Sequence, residues 1–194
     1  MPLLVFVRGL CGSLHQQADY LCRTNMPEHY PQFFIATILE WKPLLKQDKY
    51  KKLILDSLKF LVKEGRIKLY EFTIMINHIH LVWHIQPSHK KEDVQRDFLK
   101  YTAQQIKKDL ERHHPAVLSH FLVNAKDRKY QLWERNPLSV DSWSREVMFQ
   151  KLNYMHLNPV RARVCKYAED YYWSSALFYQ TGVDNFGFLT HVMD

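Results

Sequence analysis

Two histidines separated by one residue lie inside an apolar, β-branched stretch of the sequence. The stretch runs from Ile74 to Trp83, with His78 and His80 at its centre. Residues i and i+2 of a β-strand point to the same face, so the two imidazoles would project side by side. Two imidazoles placed in this way can chelate one metal ion. The alternative is a pair of sheet histidines satisfied by hydrogen bonds.

A second group of candidate residues lies on a helix predicted over Ser144–Asn158. Its apolar residues recur at i, i+4 and i+7, a stripe able to pack on a sheet: Met148, Leu152 and Met155. Tyr154 and Asn158 are also four residues apart, so they share a face roughly 100° around from that stripe. The helix can therefore present both along the edge of a cleft. Tyr154 as a core or rim aromatic, and Asn158 as a cap before Pro159, are the alternatives.

The order of predicted elements decides how these residues are brought together. Strand, helix, strand, strand, helix, strand and a last helix follow one another at Gln32–Trp41, Asp48–Glu64, Ile67–Ile76, His78–Gln86, Lys91–His113, near Lys129–Trp133 and at Ser144–Asn158. Four strands with two crossover helices predict an α+β fold of the ferredoxin-like βαββαβ type. We expect a sandwich with an antiparallel sheet, followed by a C-terminal helix that carries the chemistry.

Composition narrows the class of protein. The formal net charge of the 194 residues is +7, which favours a polyanionic partner, nucleic acid above all. Three widely spaced cysteines exclude a disulfide framework and a zinc knuckle, and they favour a reducing cytoplasm. No apolar run approaches the length that spans a bilayer, so no membrane partner is expected. Residues 1–25 are predicted to be an N-terminal extension, 26–180 the main domain and 181–194 a C-terminal tail.

Two sequence blocks resemble a known enzyme family. INHIHLVW around His78, followed by KLNYMHLNPVRARV around Tyr154, is similar to the single-tyrosine HUH transposases, and closest to the REP-associated, IS200-like class. Members typically read MPNHxHLL and then YIHxNPVxAG. Ile76 stands where proline is usual, and Arg163 where glycine is usual. WERN at 133–136 and WSSA at 173–176 resemble further family elements, and the similarity extends over about 26–179.

The resemblance implies a specific site and reaction. His78 and His80 would bind a divalent metal, Mg²⁺ or Mn²⁺, with Asn158 as third ligand and Tyr154 as nucleophile. The enzyme would be a DNA nickase and strand transferase that cleaves hairpin-containing single-stranded DNA. It would leave a 5′-phosphotyrosine and a free 3′-hydroxyl. Because a phenol has a pKa near 10, its attack needs charge neutralisation at the phosphate. The family implies a bacterial protein, nucleoid-associated when acting, that works as a monomer or a homodimer.

Further residues are candidates for nucleic-acid binding. Lys151 shares the Tyr154 face, and Arg161 and Arg163 follow the helix, where each could contact phosphate. Lys100 belongs to a polar helix segment that could line a DNA groove, and Trp133, Trp143 and Trp173 could stack on unpaired bases. The alternatives are an ordinary solvated surface and, for at least one tryptophan, core packing.

Three other residues receive weaker assignments. His156 points away from Tyr154 around the helix and is expected to be structural, while His84 lies further along the strand and is a poor third ligand. Tyr101 is the second candidate nucleophile, but it lies outside the motif.

Two other functions compete with strand transfer. A ferredoxin-like sheet can be a non-catalytic nucleic-acid-binding module, although the K/R-G-F/Y-G/A-F signature of the commonest such class is absent. A metallohydrolase of small substrates would fit the histidine pair, but the basic charge argues against it.

Overall fold

The computed structural model describes residues 31–141 and 144–193. The helices and strands follow in the order β1 (Gln32–Thr37), α1 (Asp48–Lys63), β2 (Ile67–Ile74), β3 (His78–Ile85), α2 (Lys91–His113), α3 (Pro115–Ser119), β4 (Leu122–Ala125), β5 (Arg128–Tyr130), β6 (Leu138–Asp141), α4 (Arg145–His156), α5 (Asn158–Arg161) and α6 (Ala176–Thr181). Short 3₁₀ turns lie at Leu39–Trp41, Leu44–Lys46 and Ala168–Asp170.

Four strands form the main sheet in the order β2-β3-β1-β6, and every neighbouring pair is antiparallel. The two crossovers, α1 and α2, each return the chain to the same sheet. This is the ferredoxin-like arrangement, and the predicted α+β fold is confirmed. The Gly65 backbone, at φ +64, closes the turn between α1 and β2, as expected for a glycine after a helix.

The two faces of the sheet are covered by different helices. Because successive strand residues alternate between faces, Phe34, Leu81 and Trp83 belong to one core, which also holds apolar residues of α1 and α2. The opposite face meets α4: its Met148, Leu152 and Met155 pack on strand residues Phe33, Tyr70 and Val82. The predicted apolar stripe of the last helix is therefore confirmed, and α4 lies over the face to which His78 and His80 point, together with Tyr179 and Val192 of the C-terminal part.

Two predicted strands differ from the structure. The stretch at Lys129–Trp133 is not the fourth strand of the main sheet, because β5 pairs only with β4 in a separate two-stranded ribbon. Leu132 and Trp133 are buried and account for the strand-like apolar signal, but Trp133 makes only an isolated bridge to Ile38. The fourth strand is β6, just beyond Pro137. The first strand ends at Thr37 instead of Trp41, because the backbone turns at residues 39–41.

A bulge in β2 changes which side chains face α4. Leu69 pairs with Trp83 and Glu71 pairs with Val82, so Tyr70 is an extra residue in the ladder. The extra residue places both Tyr70 and Glu71 toward α4. Beyond the bulge the alternation resumes, with Phe72 in the other core.

The C-terminal part of the chain covers the outer edge of β2. Ser174 pairs with Thr73, the Tyr171 hydroxyl donates to the Ile74 carbonyl at 2.8 Å, and the Thr190 amide donates to the Leu69 carbonyl at 2.9 Å. These bonds occupy an edge that would otherwise be free to pair with another chain. Residues 1–25, predicted to be an extension, lie outside the described residues. None of the helices within 31–141 and 144–193 is long and apolar enough to cross a membrane.

Candidate active site

Helix α4 and the short α5 position the nucleophile candidate and the third ligand candidate. The Ser144 hydroxyl accepts a hydrogen bond from the Val147 amide at 3.2 Å and so caps the start of α4. The helix ends at His156, because Pro159 has no amide hydrogen to continue it. Leu157 is the C-cap, and Asn158 begins α5. Asn158 is therefore not the cap of α4, and its side chain is available to the site.

The two histidines of β3 and Asn158 form one group, which we call the open cluster. The Asn158 amide nitrogen lies 3.2 Å from His78 Nε2 and 2.7 Å from His80 Nε2. The two imidazole rings meet edge to face with centroids 4.7 Å apart. Both Nε2 atoms thus converge on a single point between the strand and the helix.

Asn77 fixes the orientation of the first imidazole. Its Oδ1 lies 2.7 Å from His78 Nδ1, and its Nδ2 donates to the Trp41 carbonyl at 3.2 Å. Because Nδ1–H donates to Oδ1, the lone pair of His78 lies on Nε2, toward Asn158. An outer partner on the second nitrogen is the usual support of a metal-binding histidine.

Both histidines of the open cluster are held in the neutral form. Burial lowers the pKa of His78 to about 4 and that of His80 to about 3, and the neighbouring His78 adds to the second shift. Neutral imidazoles offer lone pairs at physiological pH, which is the form that binds metal ions.

The donor set fits a divalent cation. Two Nε2 lone pairs accept from the same Asn158 amide N–H₂ group, whose hydrogens occupy the point where a cation would be attracted. A rotation of that amide by 180° about the Cβ–Cγ bond presents Oδ1 instead, which supplies a third donor. No three His, Cys, Asp or Glu side chains are grouped to hold a metal within the described residues. A third protein donor at this point would therefore be the Asn158 amide. Two imidazoles and one oxygen leave coordination positions for water and phosphate.

Tyr154 lies beside this donor set. Its ring meets the His80 ring edge to face at a centroid distance of 6.0 Å, and its side chain is 47% exposed. The Arg161 guanidinium lies 5.0 Å from the centre of the Tyr154 ring. The Lys151 ammonium lies 4.9 Å from the centre of the Phe33 ring, on the same face of the sheet. A partly exposed phenol, a pair of converging imidazoles and two cations therefore lie on one side of the sheet.

A second polar group joins α4 to the sheet, and we call it the sealed cluster: Glu71, His156 and Ser175. A carboxyl oxygen of Glu71, which is fully buried, lies 3.0 Å from His156 Nε2. Neither oxygen makes a well-aligned hydrogen bond within the described residues. The same Nε2 lies 3.2 Å from Ser175 Oγ, which accepts from the Phe72 amide at 3.2 Å. The predicted structural role of His156 is confirmed.

Burial sets the protonation of the sealed cluster. It raises the pKa of Glu71 well above its usual value and lowers that of His156 to about 4. Both shifts favour the uncharged forms, because charge is penalised in a dry interior.

The other candidate residues from the sequence lie outside the open cluster. Arg163 is exposed at the end of α5, with φ +57, in the left-handed conformation for which glycine is suited. Lys100 is exposed on α2 and lines a groove of about 770 Å³ beside β5, away from the open cluster. Tyr101 lines a different groove, between α1 and α2, on the face opposite the histidines. His84 is buried further along β3 than the pair.

The tryptophans do not behave as a group. Trp133 is only 6% exposed and donates from its indole nitrogen to Thr102 at 3.1 Å. A ring buried in this way offers no face to a base, so the stacking role is corrected to core packing. Trp173 also packs on the main core, with the Lys51 ammonium 5.3 Å from its ring centre. Trp143 lies outside the described residues.

Sequence reasoning missed Asn77, Glu71 and Trp41 as residues of this region. Asn77 lies within INHIHLVW but received no role of its own, although a polar side chain directly before the first histidine is a signal for an outer partner. Glu71 is a single carboxylate inside an otherwise apolar strand, and that isolation was the signal for a buried partner. Trp41 was absorbed into the predicted first strand.

Two solved structures are similar to this fold. A structure described as a REP-associated tyrosine transposase bound to a REP hairpin is 14% identical, with a TM-score of 0.57, over 89% of this chain and 92% of that chain. A structure from Deinococcus radiodurans, named as a transposase, is also 14% identical, with a TM-score of 0.42, over 68% of this chain and 94% of that chain. At this identity the first likeness shows the fold alone.

The comparison with protein families assigns the chain to a family, which the structural likeness does not. A search of curated proteins gives no match. The family model described as "Transposase IS200 like" matches residues 33–130, which include β1 to β5 and both histidines of the open cluster. Because that match spans just over half of the 194 residues, the chain belongs to the IS200-like transposase family.

Proposed function

We propose that this transposase cleaves and rejoins single-stranded DNA through a 5′-phosphotyrosine intermediate. Transposases of this family act on DNA by cleavage and strand transfer and are generally dependent on a divalent metal. The observation that carries the finer proposal is the convergence of the two Nε2 atoms on Asn158 beside the exposed Tyr154. The substrate is hairpin-containing DNA, in line with the REP hairpin named for the structural relative.

His78 and His80 through Nε2, and Asn158 through Oδ1, would hold Mg²⁺ or Mn²⁺. When bound, the ion would neutralise the charge that builds on the scissile phosphate. Asn77 keeps the His78 lone pair directed at the site, and burial keeps both imidazoles neutral. The imidazoles are therefore oriented and neutral before DNA binds, so β3 does not need to rearrange.

Tyr154 supplies the attacking oxygen. The phenol oxygen forms a bond to phosphorus, the bond from phosphorus to the 3′-oxygen breaks, and that oxygen leaves as a 3′-hydroxyl after gaining a proton. The phenol gives up its own proton to solvent, so one proton is lost and one gained. Arg161, over the Tyr154 ring, supplies positive charge next to the forming bond. A later 3′-hydroxyl reverses the reaction and joins the strand without any other energy source.

Cations near the nucleophile position the strand. Arg161 and Lys151 lie on the Tyr154 side of the sheet, while Arg163 lies two residues beyond Arg161, the last residue of α5. Contacts from such side chains to phosphates would bind DNA without selecting its sequence. The protein is proposed to act as a monomer or a homodimer.

The experiment is covalent capture on DNA. The chain is incubated with a pool of hairpin oligonucleotides and Mn²⁺, and an SDS-stable protein–DNA adduct is expected. Tyr154→Phe abolishes the adduct, while the folded state is retained, since a half-exposed hydroxyl contributes little to stability. Tyr101→Phe is the matched control and leaves the adduct at the wild-type yield.

Two results would count against the proposal. An adduct that survives Tyr154→Phe removes the assigned nucleophile. DNA binding of normal strength with no adduct under any divalent metal favours the other candidate, a non-catalytic nucleic-acid-binding module.

A further inference from the structure

Trp41 presents a large aromatic surface beside the open cluster. Its side chain is 60% exposed, and its ring meets the His78 ring edge to face at a centroid distance of 5.5 Å. His78 is the side chain with which the indole makes a ring contact in the described part of the chain. An exposed indole beside a metal-binding histidine is not explained by packing.

The backbone that carries Trp41 is strained. Glu40 has φ +53 and Trp41 has φ +57, so two consecutive residues other than glycine are left-handed. Bulky side chains rarely adopt this conformation, and it persists only where the surroundings hold it in place. Strain of this kind is found mainly at functional sites.

Hydrogen bonds on both sides hold the turn. The Glu40 amide donates to a Glu134 carboxyl oxygen at 2.8 Å, and the Trp41 amide donates to the Ile38 carbonyl at 2.9 Å. The Trp41 carbonyl accepts from Asn77, whose Oδ1 orients His78. The strained turn and the open cluster are therefore one connected unit, and the indole has a fixed place relative to the metal-binding imidazoles.

We infer that Trp41 is a stacking platform for an unpaired base next to the scissile phosphate. The inference rests on the proposed single-stranded DNA cleavage and adds a residue to it. A phosphate held at the open cluster brings its flanking nucleotides within reach of a ring that contacts His78. Aromatic faces bind unpaired bases of any sequence by stacking, next to cations that bind the backbone. Trp41 thereby fixes which nucleotide lies beside Tyr154.

The test separates stacking from general damage. DNA binding is measured in the Tyr154→Phe background, so that no cleavage occurs. The probe is a hairpin oligonucleotide with single-stranded flanks, together with a set of versions that each lack one base. Trp41→Ala should weaken binding of the intact probe by about 5- to 100-fold. The loss should disappear on the version that lacks the stacked base.

Three controls make the result specific. Trp41→Phe retains most of the affinity, because a ring remains. Phe60→Ala removes a comparably exposed ring from α1, on the opposite face of the sheet, and leaves binding unchanged. Mn²⁺ binding is unchanged in Trp41→Ala, because Asn77 is bonded to the main-chain carbonyl of Trp41.

Trp41→Gly gives an independent signature. Glycine adopts positive φ without strain, so this variant should unfold at a higher temperature than the wild type while it binds the intact probe as weakly as Trp41→Ala. A purely structural role for the ring predicts the reverse change in unfolding temperature.

The outcomes distinguish this inference from the proposed function. Unchanged binding in Trp41→Ala, or an equal loss on every version of the probe, overturns the stacking role. If Trp41→Ala with Tyr154 retained still forms the adduct in that case, the proposed strand cleavage is retained and only the stacking role of Trp41 is rejected. If the wild-type chain neither binds the probe nor forms an adduct, both are overturned.

Discussion

The open and sealed clusters lie on the same face of the same sheet, at the C-terminal end of α4, yet they are built in opposite ways. In the open cluster two Nε2 lone pairs converge on an amide beside the partly exposed Tyr154. In the sealed cluster one Nε2 is placed against a fully buried carboxyl group and a serine hydroxyl. Tyr154 and His156 are only two residues apart, but at about 100° per residue they face nearly opposite directions.

The difference shows how one helix can serve chemistry and stability together. Lone pairs that are to bind a metal must converge without a permanent partner that excludes it. Polar groups that hold a helix in place must be closed off from water and paired. We therefore expect changes in the open cluster to alter activity and changes in the sealed cluster to alter stability.

His80→Gln is expected to give the largest effect on activity. The substitution removes one of the two Nε2 donors and keeps a polar side chain of similar size. Loss of an outer partner of a metal ligand lowers activity by about 10- to 100-fold, so loss of a ligand should exceed 100-fold. Adduct yield with Mn²⁺ measures the activity, and thermal unfolding checks that the fold is retained. Normal cleavage by this variant would exclude His80 as a ligand.

Asn77→Ala tests the outer partner of the open cluster. The His78 ring loses the acceptor at Nδ1 and is no longer held in one orientation. Mn²⁺ affinity should fall by about 10- to 100-fold. Mn²⁺ titration gives the value directly, and a change below twofold would mean that packing alone orients the ring.

His156→Ala should act on stability. It leaves the buried carboxyl of Glu71 without the imidazole that lies 3.0 Å from it and opens space behind α4. The free energy of unfolding should fall by about 1–3 kcal/mol, as for other buried polar groups left unpaired. Urea unfolding measures the loss, and adduct yield for each folded molecule should stay near the wild-type value. A large loss of cleavage with normal stability would contradict the division between the clusters.

The pH dependence of stability should come from the open cluster. His78 and His80 have pKa values of about 4 and 3 when folded and near 6.5 when unfolded, so the unfolded chain binds more protons between these limits. Stability contributed by the two histidines is therefore lost as the pH falls below about 6.5. His78→Gln combined with His80→Gln should flatten this part of the curve in urea titrations from neutral to acid pH.

The sealed cluster should add almost nothing to that slope. Burial raises the pKa of Glu71 and lowers that of His156, so on folding the gain of proton affinity at Glu71 opposes the loss at His156. Glu71→Gln removes this compensation. The fall of the unfolding free energy with decreasing pH should then become steeper by up to one proton, which is about 1.4 kcal/mol per pH unit. An unchanged slope in Glu71→Gln would show that His156 stays protonated in the folded variant and would contradict the lowered pKa of His156.

Arg163→Gly is expected to have the smallest effect. The Arg163 amide donates to the Val160 carbonyl and the Val164 amide to the Pro159 carbonyl, both at 2.9 Å, which is the Schellman ending usually made by glycine. Glycine at φ +57 should raise the free energy of unfolding by about 1 kcal/mol or less. If Arg163 contacts phosphate, the salt dependence of DNA binding should also fall by about one charge. Because neither cluster is touched, cleavage by bound enzyme should not change.

Features that depend on a regular spacing of residues could be predicted from the sequence. The HxH pair, the helix stripe and the order of strands and crossovers follow from periods of 2 and 3.6 residues. The fourth strand was misplaced because β6 is only four residues long, while the buried Leu132 and Trp133 gave a stronger apolar signal nearby.

Other features had no local signature. The bulge that turns Tyr70 and Glu71 to the same face depends on pairing with β3, which no single strand encodes. The left-handed turn at Glu40 and Trp41 carries neither glycine nor asparagine, so its residue types do not announce it. It is held instead by Glu134 and Asn77, which are distant in sequence.

The contacts that join α4 and α5 to β2 and β3 all span long stretches of chain. Asn158 contacts His78, which is 80 positions earlier, and His80, which is 78 positions earlier. The Thr73 hydroxyl donates to the Met155 carbonyl, 82 positions later. During synthesis at about 5–20 residues per second, Tyr154 would leave the ribosome about 4–15 s after His80. With the proposed assignments, the growing chain would carry its metal ligands on β3 well before its nucleophile. A transposase of this design would then be unable to cleave DNA until nearly the whole domain has been made and folded.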